Sequence, residues 1–146
     1  MRFAVLFALL LTACARPNYA PPAPSPLTPA GETAACAIPL PKSGQCVHLT
    51  WTKLPTAEET GTLWLSVRST STYGLPTTTE LQGELRAHLW MPSMSHGSTP
   101  MTIEKFGVGL YRLDEVYFIM PGDWTINIQV WKDGALFEEG LFALEI

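Results

Sequence analysis

"DWTINIQVWKDG", residues 123–134, sets Trp124, Ile126, Ile128 and Val130 on one side and Thr125, Asn127 and Gln129 on the other. A Lys-Asp-Gly turn follows. Successive side chains of a strand point to opposite faces, so this pattern predicts a strand with one buried face and a tight turn at its end. The same signature recurs outward from it. "CVHLTWTKL" (46–54) alternates Val47, Leu49 and Trp51 against His48, Thr50 and Thr52, and "GTLWLSVRST" (61–70) turns Leu63, Leu65 and Val67 inward. "GELRAHLWM" (83–91) puts Leu85, Ala87, Leu89 and Met91 on one face. "PMTIEKFGVG" (100–109) is a shorter strand, "GLYRLDEVYFIM" (109–120) a partly two-sided run, and "ALFEEGLFALEI" (135–146) closes the chain. No stretch carries a helical period with caps. The spacing predicts an all-β fold, an immunoglobulin-like antiparallel β-sandwich of about seven strands.

The residues before that domain read differently. "MRFAVLFALLLTACARP" has one arginine, an apolar run from Phe3 to Leu11, then small residues and a cysteine. The run is too short to span a bilayer and has the layout of a secretory signal peptide. "LTAC" (11–14) resembles the lipobox of bacterial lipoproteins, which implies cleavage before Cys14, lipidation (palmitate included) on that residue, and anchoring in a membrane. Ala15 in place of an inner-membrane retention aspartate favours the outer membrane, with the domain facing the periplasm. Six prolines between Pro17 and Pro29 mark a tether; polyproline II extends roughly 3 Å per residue, so ~20 residues reach at most ~60 Å. The expected organisation is a signal peptide at 1–13, lipidated cysteine and linker at 14–35, and one domain at 36–146.

Loss of the signal peptide removes Arg2, leaving eight basic against thirteen acidic residues, a net charge of −5. An acidic chain without a basic run excludes nucleic acid as a partner class. With Cys14 assigned to lipid, Cys36 and Cys46 are an even pair in an oxidising compartment. They read as a disulfide tying the domain's first residues to its first strand, with a thiolate metal pair as the other reading. Nothing supports catalysis: there is no G-x-S-x-G, H-E-x-x-H or phosphate-cradling glycine loop, and the chain is expected not to be an enzyme. Asp114-Glu115 and Glu138-Glu139 are neighbours pointing to opposite faces of strands and read as solvated edge charges, not as carboxylate dyads. Trp124 reads as core, Trp131 as a rim aromatic, His88 as a surface or cross-strand residue, and His48 has no assigned role.

What remains is "WMPSMSHGSTPM" (90–101). After Met1 every methionine of the chain (Met91, Met94, Met101 and Met120) falls within 91–120, with His96 among them. Antiparallel neighbours bring the end of the 83–91 strand, the start of the 100–109 strand and the end of the 109–120 run to one end of the sandwich. Thioethers bind without deprotonation and favour Cu(I), and imidazole accepts either copper state. Met94 and His96, in the loop proper, are the leading candidate ligands, with a loop-bracing hydrogen bond as the other reading of His96. Met91, Met101 and Met120 also read as core fillers.

"MPSMSHG" (91–97), G-x-Y-R (109–112) and "FIMPGDWTINIQV" (118–130), in that order, resemble the YtkA-like domain family, which is similar to FixH-type proteins. The resemblance covers residues 60–132. It implies a small exported immunoglobulin-like sandwich concerned with copper handling or respiratory-oxidase assembly, and donors at Met91, Met94, His96 and Met120. The expectation is therefore a membrane-anchored lipoprotein binding Cu(I) and passing it to a copper-protein or oxidase-assembly partner. The alternative is a non-enzymatic structural or protein-interaction domain of the cell envelope without a metal site.

Overall fold

The structure, a computed structural model, describes residues 36–56, 58–69 and 77–146. Nine strands follow one another: β1 (Ile38–Leu40), β2 (Gln45–Lys53), β3 (Gly61–Ser69), β4 (Glu84–Met91), β5 (His96–Gly97), β6 (Thr102–Gly107), β7 (Leu110–Val116), β8 (Asp123–Lys132) and β9 (Ala135–Glu145). They form two antiparallel sheets, ordered β1-β2-β3-β7-β6 and β5-β4-β8-β9, packed as an immunoglobulin-like sandwich.

The strand count is nine rather than about seven. Each of the seven expected runs is a strand, and the additions, β1 and β5, are only three and two residues long. Neither is long enough to display an alternation; pairing with a longer neighbour makes each a strand. The run expected to extend to Met120 ends at Val116, and residues 117–122 form the connection to β8.

Alternation sets the core. Leu63, Leu65 and Val67 of β3, Leu113 of β7, and Trp124, Ile126, Ile128 and Val130 of β8 are buried between the sheets. At roughly 25 cal/mol per Å² of apolar surface removed from water, burying such side chains is the main term holding the sheets together. The β8–β9 hairpin closes through Asp133 and Gly134, both at positive φ (50° and 76°). That conformation matches the right-handed twist of the flanking strands and suits an Asp-Gly pair. Trp131 is half-exposed, with the Arg86 guanidinium 4.3 Å above its ring.

A disulfide joins Cys36 to Cys46, with Cα atoms 5.6 Å apart, tying the residues ahead of β1 to β2. One expectation about charge is overturned. Glu138 is buried, only 5 % exposed. It shares the inward face of β9 with Gly140, and its Oε2 accepts from the backbone N–H of Lys42 (3.0 Å) and of Ser43 (3.4 Å). The carboxylate is inward because it holds the β1–β2 turn, whose amides would otherwise lack a partner on that side. Cys14 and the stretches expected to be a signal peptide and a tether lie outside the described residues.

Candidate metal site at one end of the sandwich

The "MPSMSHG" stretch folds into a reversal. Met91 ends β4, residues 92–95 turn with Ser95 N donating to Pro92 O (3.3 Å) and Ser95 at φ 54°, and β5 returns along β4. The register sets Met91 opposite His96 and Trp90 opposite Gly97. Directly opposed residues of an antiparallel pair share a face. Met91 is an inward, buried residue, so His96 also stands on the inner side of the sheet, half-buried. Its ring meets the edge of Trp124, centroids 5.7 Å apart at 70°.

His96 Nδ1 lies 3.0 Å from Gly97 O. A carbonyl can only accept, so in this contact Nδ1 carries the proton and the lone pair of the neutral ring is on Nε2. A backbone carbonyl on one imidazole nitrogen is the usual way a histidine is oriented for metal ligation through the other.

The β7–β8 connection closes on the same place. Trp124 Nε1 donates to Met120 O (3.0 Å), pinning that backbone over the indole. Gly122 has φ 142°, and a Cβ there would sit 2.3 Å from Met91 Cε. The thioether methyl of Met91 therefore occupies the space a side chain at 122 would need. Ser93 donates to Asp123 through its hydroxyl, and through its N–H at 3.3 Å, while the Ser98 hydroxyl donates to Tyr117 O. These bonds hold the 92–98 segment to the 117–122 connection and to the first residue of β8. The Ser93 bond also keeps the Asp123 carboxyl below its ordinary range, since it favours the ionised acceptor.

The methionines thus gather at one end but play different parts. Met91 and His96 face each other across the β4–β5 pair. Met94 sits in the turn between them with 59 % of its surface exposed. Met120 is bound by its backbone to Trp124 and, with Tyr117, Phe118, Ile119 and Ile146, lines a recess of about 160 Å³. Met101 packs half-buried against the core just ahead of β6, opposite the end of β7. Among the described residues no three His, Cys, Asp or Glu side chains come together as a metal-holding group. Beside the Asp123 carboxylate, which Ser93 engages, the donors this end offers are imidazole and thioether.

Elsewhere, His88 is exposed on the outer sheet face with Nε2 2.8 Å from Asn127 Nδ2, a cross-strand contact. Sequence reading did not single out Gly122 or Ser93; the signal was "MPGDW", whose glycine and aspartate are what the 92–98 turn fits against.

Compared with known proteins, the chain matches no family model, no curated protein and no solved structure.

Proposed function

We propose that the domain is a Cu(I)-binding module of the cell envelope, held to the membrane by lipid on Cys14, with His96, Met91, Met94 and Met120 as its donors. The observation that carries this reading is the pairing of Met91 with His96, whose Nδ1 is committed to Gly97 O while Nε2 keeps its lone pair. Imidazole with thioethers is a soft-to-borderline set that favours Cu(I) and needs no deprotonation of sulfur. Met101, packed against the core, fits the donor set least. The exposure of Met94 suits hand-off by ligand exchange to a copper-protein or oxidase-assembly partner, the role that resemblance to the YtkA-like and FixH-type proteins implies. The lipobox-like "LTAC" supports the lipid anchor, and Ala15 after it favours an outer-membrane, periplasm-facing position.

The test is a Cu(I) competition titration against a coloured chelator, with wild type, Met94→Ala, His96→Ala and the double variant. The expected result is binding tighter than about 1 nM, weakened at least about tenfold by loss of His96. Weaker wild-type binding, or no change in the double variant, refutes the reading. Incorporation of labelled palmitate, lost in Cys14→Ser, tests the anchor.

A second reading, a structural or protein-interaction domain with no metal site, is favoured by the Ser93–Asp123 and Ser98–Tyr117 hydrogen bonds, which hold the loop without any ion. Under it, changes at Met94 and His96 leave the copper titration flat.

A further inference from the structure

The two long sides of the sandwich are closed unequally. On one side β1 lies against β9, with Ile38, Pro39 and Leu40 crowding Gly140. On the other, β5 covers only Trp90 and Met91 of β4, and the chain then departs through Thr99 and Pro100 to β6. Burial along β4 records the difference. Leu89 and Met91 are 2 % and 4 % exposed, whereas Leu85 and Ala87, on the same face, remain half-exposed, as does Ile103 of β6. Between β4 and β6 lies an open recess of about 290 Å³, lined by Leu85, Ile103 and Tyr111, with Glu80, Glu84 and Lys105 at its rim. Among the described residues β5 is the one strand paired with this edge of β4.

The backbone of that edge has a defined polarity. Leu89 O accepts from Ser98 N on the β5 side. N–H and C=O of one residue point the same way in an antiparallel strand and alternate along it. The groups of Leu85 and Ala87 therefore face the free edge, and those of Glu84, Arg86 and His88 face β8.

We propose that this edge pairs with the same edge of a second copy of the chain, β4 antiparallel to β4, with the two-fold axis at Leu85. Charge selects that register. Centring the pair on Glu84 or on Arg86 sets like charges directly opposite, which is unfavourable. Centring it on Leu85 sets each Glu84 opposite the partner's Arg86, twice over by symmetry, and each Gly83 opposite the partner's Ala87. The same choice brings the edge-facing amides and carbonyls of Leu85 and Ala87 into hydrogen-bonding positions. It covers the half-exposed Leu85 and Ala87, and it stops where β5 already occupies the edge. Glu84 and Arg86 now pair within one chain at 2.8 Å, both about half-exposed, so re-pairing across the axis demands little. The proline-rich 17–29 stretch is chemically a poor occupant, because proline supplies no N–H to a ladder.

The proposal is independent of the metal reading. Its test is sedimentation velocity of the full chain in mild detergent, from roughly micromolar to sub-millimolar concentrations, the range that suits a small interface. A reversible monomer–dimer equilibrium is expected. Glu84→Arg or Arg86→Glu alone weakens it about tenfold, because each reversal acts at two symmetric pairs, and the double reversal restores it. Ala87→Pro removes an edge-facing N–H, not one bonded to β8, and gives a monomer that still unfolds cooperatively. A wild type that is monomeric throughout, leaving the edge to a foreign strand, overturns the proposal, as does a dimer indifferent to the single reversals.

Discussion

Gly122→Ala probes the contact on which the candidate site is built. A Cβ at 122 would stand 2.3 Å from Met91 Cε, and the backbone there has φ 142°. Two costs follow, and they separate. The backbone cost is that of an L-residue held at a φ only glycine adopts freely, about 1–2 kcal/mol. The contact cost is smaller, because the clashing atom is the end of a flexible side chain. Swinging the Met91 methyl aside costs about 0.5–1.5 kcal/mol in rotamer strain and lost packing. The sum, roughly 1.5–3.5 kcal/mol, is measurable by urea denaturation of a two-state domain, read from the midpoint at constant slope. Met91→Ala alone leaves a cavity and costs about 2–5 kcal/mol. It also vacates the space, so the double variant is less destabilised than the two singles added, by about 0.5–1.5 kcal/mol, while the backbone cost persists. Additivity within about 0.3 kcal/mol refutes the placement of the thioether against Gly122. In the copper titration Gly122→Ala, which alters no donor atom, weakens Cu(I) binding by moving Met91; unchanged affinity removes Met91 from the donor set.

Replacing Glu138 by Leu leaves the Lys42 and Ser43 amides without their buried acceptor and costs about 1–3 kcal/mol, while Glu138→Gln, which keeps an acceptor, costs less; equal costs in denaturation would refute the hydrogen-bonding role. His48 is held below its ordinary pKa of 6.5, first by burial and then by the nearby Arg68 charge. The folded state thus resists its protonation, so it contributes stability above pH 6.5 that is lost as pH falls through the lower folded value. His48→Gln is expected to flatten that part of the stability–pH profile, and an unchanged slope counts against the assignment. Opening the Cys36–Cys46 disulfide frees a ten-residue separation and is expected to lower stability by roughly 2–3 kcal/mol; a thermal midpoint unmoved by reductant would contradict this.

The candidate site was half legible. Clustering of the methionines within 91–120 and strand parity together placed them at one end, because alternation and direction are local properties that accumulate along the chain. Parity could not say which side chains face one another. That depends on the turn at 92–95, where Ser95 takes a positive φ and returns His96 to Met91, and on a β5 of only two residues. Met94, the leading candidate in the sequence together with His96, is the most exposed of the four methionines, whereas Met91, readable as core, is both buried and paired with the histidine. Glu138 failed for a different reason. Its parity with Gly140, Phe142 and Leu144 pointed inward, but a charged residue reads as exposed until its partners, 95 and 96 residues away in sequence, are known.

By itself, then, the sequence determined that this domain is all-β. Short strand-like runs, the clearest of them alternating with period two, present apolar faces that must be buried against one another, as a sandwich or a barrel does. Only the tertiary structure decided what its ends and edges are. It set the imidazole proton of His96 by the carbonyl it meets, the methyl of Met91 by the glycine it displaces, and the open edge of β4 by the two residues at which β5 stops. Those outcomes depend on which backbone atoms lie opposite one another, and register is settled only when all the strands are in place.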